Sequence, residues 1–133
     1  MDPARLAAVA QRHGIVLAVQ FGSSVTGRLH AHSDVDVAVL LEHPPLSLDV
    51  ELSAIADLQA LVNEREVDVV FLHRADPLLL KQIAETGRRV YGSTRWFAEL
   101  KIYAFKRYQD HRHYLAMERE YVSRRLQALA PTP

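Results

Sequence analysis

The 133-residue sequence contains no cysteine, a single tryptophan and only five glycines. Without cysteine, neither a disulfide framework nor a thiolate metal site can form, so any bound metal must be held through oxygen or nitrogen. This composition fits a reducing compartment. No apolar run approaches the roughly 18 residues that a membrane span needs. The opening MDPARLAAVAQRHG lacks the pattern of a secretion signal, and a cytoplasmic protein with no membrane partner is expected. Net charge is also missing, since 16 Lys and Arg balance 16 Asp and Glu. The balance is not local. Residues 1–87 carry 6 basic against 12 acidic side chains, and residues 88–133 carry 10 against 4. The basic end suits a phosphate or an acidic partner, or is simply a solvated helix face.

What is present reads as alternating helices and strands in one domain, 1–133. Asp2-Pro3 forms an N-cap with proline at the first helical position, and Leu6, Val9 and Ala10 supply an apolar stripe ending at His13-Gly14. Ile15 to Phe21 is apolar apart from Gln20, as expected of a strand covered on both faces. Ser23 to Arg28 predicts one or two helical turns and Leu29 to Ser33 a loop, with His30 and His32 exposed in it. Ser33 to Leu41 is a second strand, with Val35, Val37, Val39 and Leu41 toward the core. Leu48, Leu52, Ile55, Leu58, Leu61 and Val62 mark a helix with a stop at Asn63. Glu66 to Leu72 is a third strand, Asp76-Pro77 starts another helix, and Arg88 to Gly92 is a short edge strand. Residues 95–130 form a long final helix of about 50 Å at about 1.5 Å per residue, rich in arginine and aromatics. The expected class is α/β (α+β): a small mixed sheet of three or four strands flanked by helices.

Chemistry concentrates between Phe21 and Leu41. Gly22-Ser23 ends a strand, where backbone N–H groups and a hydroxyl can face a phosphate. Ten residues later come Asp34 and Asp36, whose i, i+2 spacing on a strand puts both carboxylates on one face. Two like charges there are costly unless a cation lies between them, and hard oxygen ligands suit Mg2+ or Mn2+. Asp68, among Val67, Val69, Val70 and Phe71, is a third candidate, because an unpaired carboxylate in that setting would be expensive. Glu66 competes with it from the start of the same strand.

The pattern Gly22-Ser23, ten residues, Asp34-Val35-Asp36 resembles the minimal nucleotidyltransferases (MNT) of the DNA polymerase β superfamily, whose signature is G-S-x10-D-x-D. The resemblance covers nearly the whole chain in length and element order. It implies a nucleotidyltransferase fold, with Asp34, Asp36 and Asp68 as catalytic and metal-binding residues for two Mg2+ or Mn2+ ions. It implies nucleotide binding by Gly22, Ser23, Ser24 and Arg28, with ATP as substrate. Many members read GSRARG where this chain reads GSSVTG, so Ser24 and Thr26 stand in place of arginines and Arg28 is the nearest replacement. Minimal nucleotidyltransferases of this kind are commonly antitoxins of type VII pairs, transferring AMP to a tyrosine of a HEPN ribonuclease toxin. That toxin is the implied partner. The alternatives are a non-catalytic antitoxin that buries the toxin's site and a small-molecule nucleotidyltransferase. No readout motif for nucleic acid is present.

Overall fold

The computed structural model describes residues 1–22, 34–45, 47–62 and 65–130. Helix α1, Pro3–His13, begins where the Asp2 carboxylate accepts from the amide of Ala4 and ends at Gly14 in the left-handed region (φ 67°). Strand β1, Ile15–Phe21, follows. Its neighbours are β2, Val35–Leu41, which is antiparallel to it, and the edge strand β4, Arg88–Gly92, also antiparallel. Strand β3, Val67–Phe71, runs parallel to β2. The sheet is therefore mixed, in the order β3-β2-β1-β4. Helix α2, Leu48–Gln59, makes the crossover that the parallel pair requires. A 3-10 turn, Leu72–Arg74, leads to α3, Pro77–Thr86, which is capped by Asp76 through the amide of Leu79. Helix α4, Thr94–Leu129, is a continuous 36 residues capped by the Ser93 hydroxyl.

Both faces of the sheet are covered, as the apolar β1 requires. On one face Val35, Val37 and Val39 pack with Ala18, with Leu6, Val9 and Ala10 of α1 and with Leu58 of α2. On the other, Leu17, Val19, Phe21 and Ala38 pack with Leu80 and Ile83 of α3 and with Leu100 and Ala104 of α4. The expected core register of β2 is observed, except that Leu41 is only partly buried.

Two expectations need correction. The stripe assigned to α2 is rotated: Leu48 and Leu52 are exposed, whereas Glu51 is buried at 4 % exposure. The cause is Arg74 in the 3-10 turn, which donates from Nη1 to Glu51 Oε1 at 2.6 Å and from Nη2 to Oε2. A bidentate guanidinium makes an interior carboxylate tolerable. Asp68 is exposed rather than enclosed by its apolar neighbours, because side chains alternate and only Val67 and Phe71 of β3 are buried. Of the aromatics and large apolar residues of α4, only Leu100 is buried; Trp96, Tyr103, Tyr114, Met117 and Tyr121 are exposed. The helix continues unbroken past α3 to Leu129. The expected turns over 23–28, the loop over 29–33 and the stop at Asn63 lie outside the described residues.

Helices α1 and α2 are tied by His13, whose Nε2 lies 2.6 Å from Asp57 Oδ2, with Arg12 at 3.1 Å from the same oxygen. The His13 contact, and then Arg12, hold the Asp57 carboxyl below its ordinary value.

Replacing Arg74 with Met leaves the Glu51 carboxylate interior and unpaired. Urea unfolding is expected to show a loss of about 2 kcal/mol, most of which returns in the Glu51→Leu, Arg74→Met double variant. A double variant as unstable as the single one would show that packing, not charge, is at stake.

Candidate functional site

The parallel β2–β3 ladder matches Val35 with Val67, Asp36 with Asp68 and Val37 with Val69. It begins where the Val35 amide donates to the Glu66 carbonyl at 2.8 Å. Directly matched residues on neighbouring strands carry their side chains on the same face, so backbone hydrogen bonding alone sets the Asp36 and Asp68 carboxylates side by side. On its other side Asp36 is matched with Phe21, the last residue of β1. One cross-strand row thus reads Asp68, Asp36, Phe21, and Gly22 follows at its end. Asp34 lies two residues before Asp36, just ahead of the strand, and is exposed.

Gly22 is held at φ 77°, a region unfavourable to residues with a side chain. A Cβ built there would lie 2.3 Å from Asp36 Oδ2. The Asp36 carboxylate therefore rests against the bare Cα of the turn. The glycine is required twice, once by its backbone conformation and once by the carboxylate packed on it.

Electrostatics follows from this crowding. The Asp36 carboxyl is raised above its ordinary value of 3.8, first by partial burial, then by the charges of Asp68 and Asp34. Among the described residues none of the three carboxylates has a hydrogen bond or ion pair to a basic side chain. Hard oxygen donors crowded beside a turn glycine, with no basic partner among the described residues, fit a divalent cation. Among the described residues, no three acidic or histidine side chains form a ready-made metal cage. Mg2+ is typically held by one or two carboxylates together with substrate phosphates, so a complete protein cage is not required. Ser23, Ser24 and Arg28 lie outside the described residues, as do His30 and His32. Glu66 stands exposed one residue before β3, and its backbone rather than its side chain serves the ladder.

What the sequence did not reveal is the Gly22–Asp36 contact. Gly22 reads as a turn residue and Asp36 as a ligand, and only the antiparallel register brings them together.

Because the Asp36 pKa is raised on folding, the native state binds more protons than the unfolded chain, and stability falls as pH rises through that raised value. Asp36→Asn removes the cost. Its melting temperature at pH 7 is expected above that of the wild type, with the difference closing as pH falls below about 4. Gly22→Ala is expected to lose about 1–2 kcal/mol from its left-handed φ alone. Thermal scans across pH check both, and an Asp36→Asn variant less stable at pH 7 would contradict the first.

Known proteins share the fold. No curated protein matches the sequence significantly. Among solved structures, a chain of a toxin–antitoxin complex with AMP-PNP superposes with a TM-score of 0.73 at 22 % identity, over 96 % of this chain and 99 % of the other. A chain from the complex of a tri-AMPylated Shewanella oneidensis HEPN toxin with its MNT antitoxin gives 0.65 at 20 %, covering 94 % and 95 %. An Enterococcus spectinomycin adenyltransferase, AAD(9), with ATP and spectinomycin, gives 0.55 at 15 %, covering 73 % of this chain and 57 % of its own. The sequence profile described as Polymerase beta, Nucleotidyltransferase matches residues 5–95, from α1 through the sheet to the start of α4. By that match the chain belongs to the polymerase β nucleotidyltransferase family.

Proposed function

We propose that this chain is the antitoxin of a HEPN–MNT pair and transfers AMP from ATP to a tyrosine of the HEPN ribonuclease toxin. The observation that carries the reading is the in-register match of Asp36 with Asp68, flanked by Asp34, against the Gly22 turn. Residues 1–133 act in this reading as one nucleotidyltransferase domain, with 95–130 as its terminal helix. The work is cytoplasmic.

Asp34 and Asp36 would hold Mg2+ or Mn2+, with Asp68 as a third ligand. Once bound, such ions, one or two of them, would neutralise the phosphates and lower the pKa of the acceptor hydroxyl. The chain's own residues do the rest. The Gly22 amide and the Ser23 hydroxyl, with Ser24 and Arg28, hold the β- and γ-phosphates and donate to the charge that develops there. Asp68 is exposed on the open end of the sheet, where an incoming phenol has access. It takes the tyrosine proton as the phenolic oxygen forms its bond to the α-phosphorus. The bond between the α-phosphorus and the bridging oxygen breaks, and pyrophosphate leaves with the electron pair.

The neighbours support the choice of partner: toxin–antitoxin complexes cover nearly all of both chains, whereas the drug-modifying AAD(9) is matched over 57 % of its length. A binding-only antitoxin is the second reading. It is favoured by the exposed Tyr114, Leu115, Met117, Tyr121 and Val122 of α4, which lie on a helix that leaves the sheet and could grip a partner without any chemistry.

Incubated with the HEPN partner, ATP and Mg2+, the wild type is expected to add one or more AMP masses to a toxin tyrosine, as read by intact-mass and peptide mass spectrometry. Asp34→Asn with Asp36→Asn abolishes the addition, and Asp68→Asn lowers its rate by about 10^3 or more while the melting temperature holds. Full neutralisation by the double variant with no mass added would establish the binding-only reading. Unchanged transfer by Asp68→Asn would move the proton to another acceptor, Glu66 first.

A further inference from the structure

Strand β4 brings two guanidiniums to the end of the sheet where the carboxylates lie. Arg88 is matched with Gln20 and Arg89 with Val19, across a register irregularity between Ala18 and Val19. Gln20 is in turn matched with Val37, and Val19 with Ala38. Successive cross-strand rows therefore read Asp68, Asp36, Phe21; then Val69, Val37, Gln20, Arg88; then Val70, Ala38, Val19, Arg89. Arg88 is one row from the carboxylates and, by the alternation of rows, on the opposite face of the edge strand. Arg89 is two rows away and shares their face, since rows alternate between faces. With about 3.4 Å per residue and about 4.8 Å per strand, the Cα atoms of Asp36 and Arg89 are about 12 Å apart.

Gly22 continues β1, the strand that separates the carboxylates from β4. A nucleotide whose α-phosphate sits at Asp36 and Asp68 and whose tail crosses the Gly22 turn is directed toward β4. The charges there are available. Several other basic side chains of the domain pair with carboxylates: Arg12 with Asp57, Arg74 with Glu51, Lys81 with Glu85 and Arg95 with Glu99. Arg88 and Arg89, like Arg5 on α1, hold neutral oxygens. Arg88 Nη2 donates to Gln20 Oε1 at 3.2 Å, and Arg89 donates to the Gly92 carbonyl. Both residues are exposed. A neutral partner orients a guanidinium without cancelling its charge, and a planar fork of donors matches phosphate oxygens.

We propose that Arg88 and Arg89 form a polyphosphate-binding edge that receives the terminal phosphates of the nucleotide. The site deepens the nucleotidyl-transfer reading and rests on it for the nucleotide's direction, but its anion chemistry can be tested without turnover. The probes are inorganic tripolyphosphate, ATP and AMP, titrated calorimetrically into the full chain with Mg2+ present. Arg88→Gln with Arg89→Gln is expected to weaken tripolyphosphate and ATP by tenfold or more and leave AMP unchanged, with the melting temperature held. Arg5→Gln, an exposed arginine on α1, is the control and changes nothing. Equal tripolyphosphate affinity in wild type and double variant overturns the proposal, whether both bind or neither does. So does an equal loss for ATP and AMP. If the contrast holds while the wild type adds no AMP to the toxin, the polyphosphate edge stands and the transfer reading falls.

Discussion

Two carboxylates that repel each other are held together by a backbone ladder that does not yield to them. Asp36 and Asp68 are matched in the parallel β2–β3 pair, and moving them apart by one residue would turn β3's core side chains to the solvent. The apolar residues behind them therefore fix the distance between the acids. Partial burial first, and then the charges of Asp68 and Asp34, hold the Asp36 carboxyl above its ordinary value at this point. Such stored cost is characteristic of sites that wait for a cation or a reacting group. The rest of the structure serves this constraint: β1 separates the acids from β4, Gly22 gives the Asp36 carboxylate room, and α3 and α4 close the face beyond.

The end of the sheet carries charge of both signs. Acids lie on β2 and β3, arginines on β4, and a glycine turn lies between them. A polyphosphate laid across that end would meet cationic side chains on one side and, through bound metal, the acids on the other. Asp36 and Arg88 are more than fifty positions apart in the chain, and the pairings of β1 with β2 and with β4 bring them to one end of the sheet.

Much of this was legible in the sequence. Asp2-Pro3 and Asp76-Pro77 announced their helices, because a cap is a local event among three or four residues. The alternation Val35, Val37, Val39 announced the core face of β2 for the same reason. The i, i+2 acids were likewise local. What stayed hidden was long-range. Glu51 reads as a solvated helix residue until Arg74 arrives from 23 positions away. Asp68 reads as enclosed by its valines, whereas its own side of the strand end is open. The placement of Arg88 and Arg89 needed the β4 register, which no periodicity of RRVYG could supply.

Helix α4 is anchored by Leu100 and Ala104 and then continues to Leu129. At about 1.5 Å per residue the stretch beyond Ala104 projects about 37 Å. A rod clamped at one end acts as a gauge. Whatever grips its far end is set at a fixed distance and azimuth from the sheet, so a change in the number of residues between Ala104 and the gripping point would swing a partner around the axis by about 100° per residue while shifting it only slightly along it.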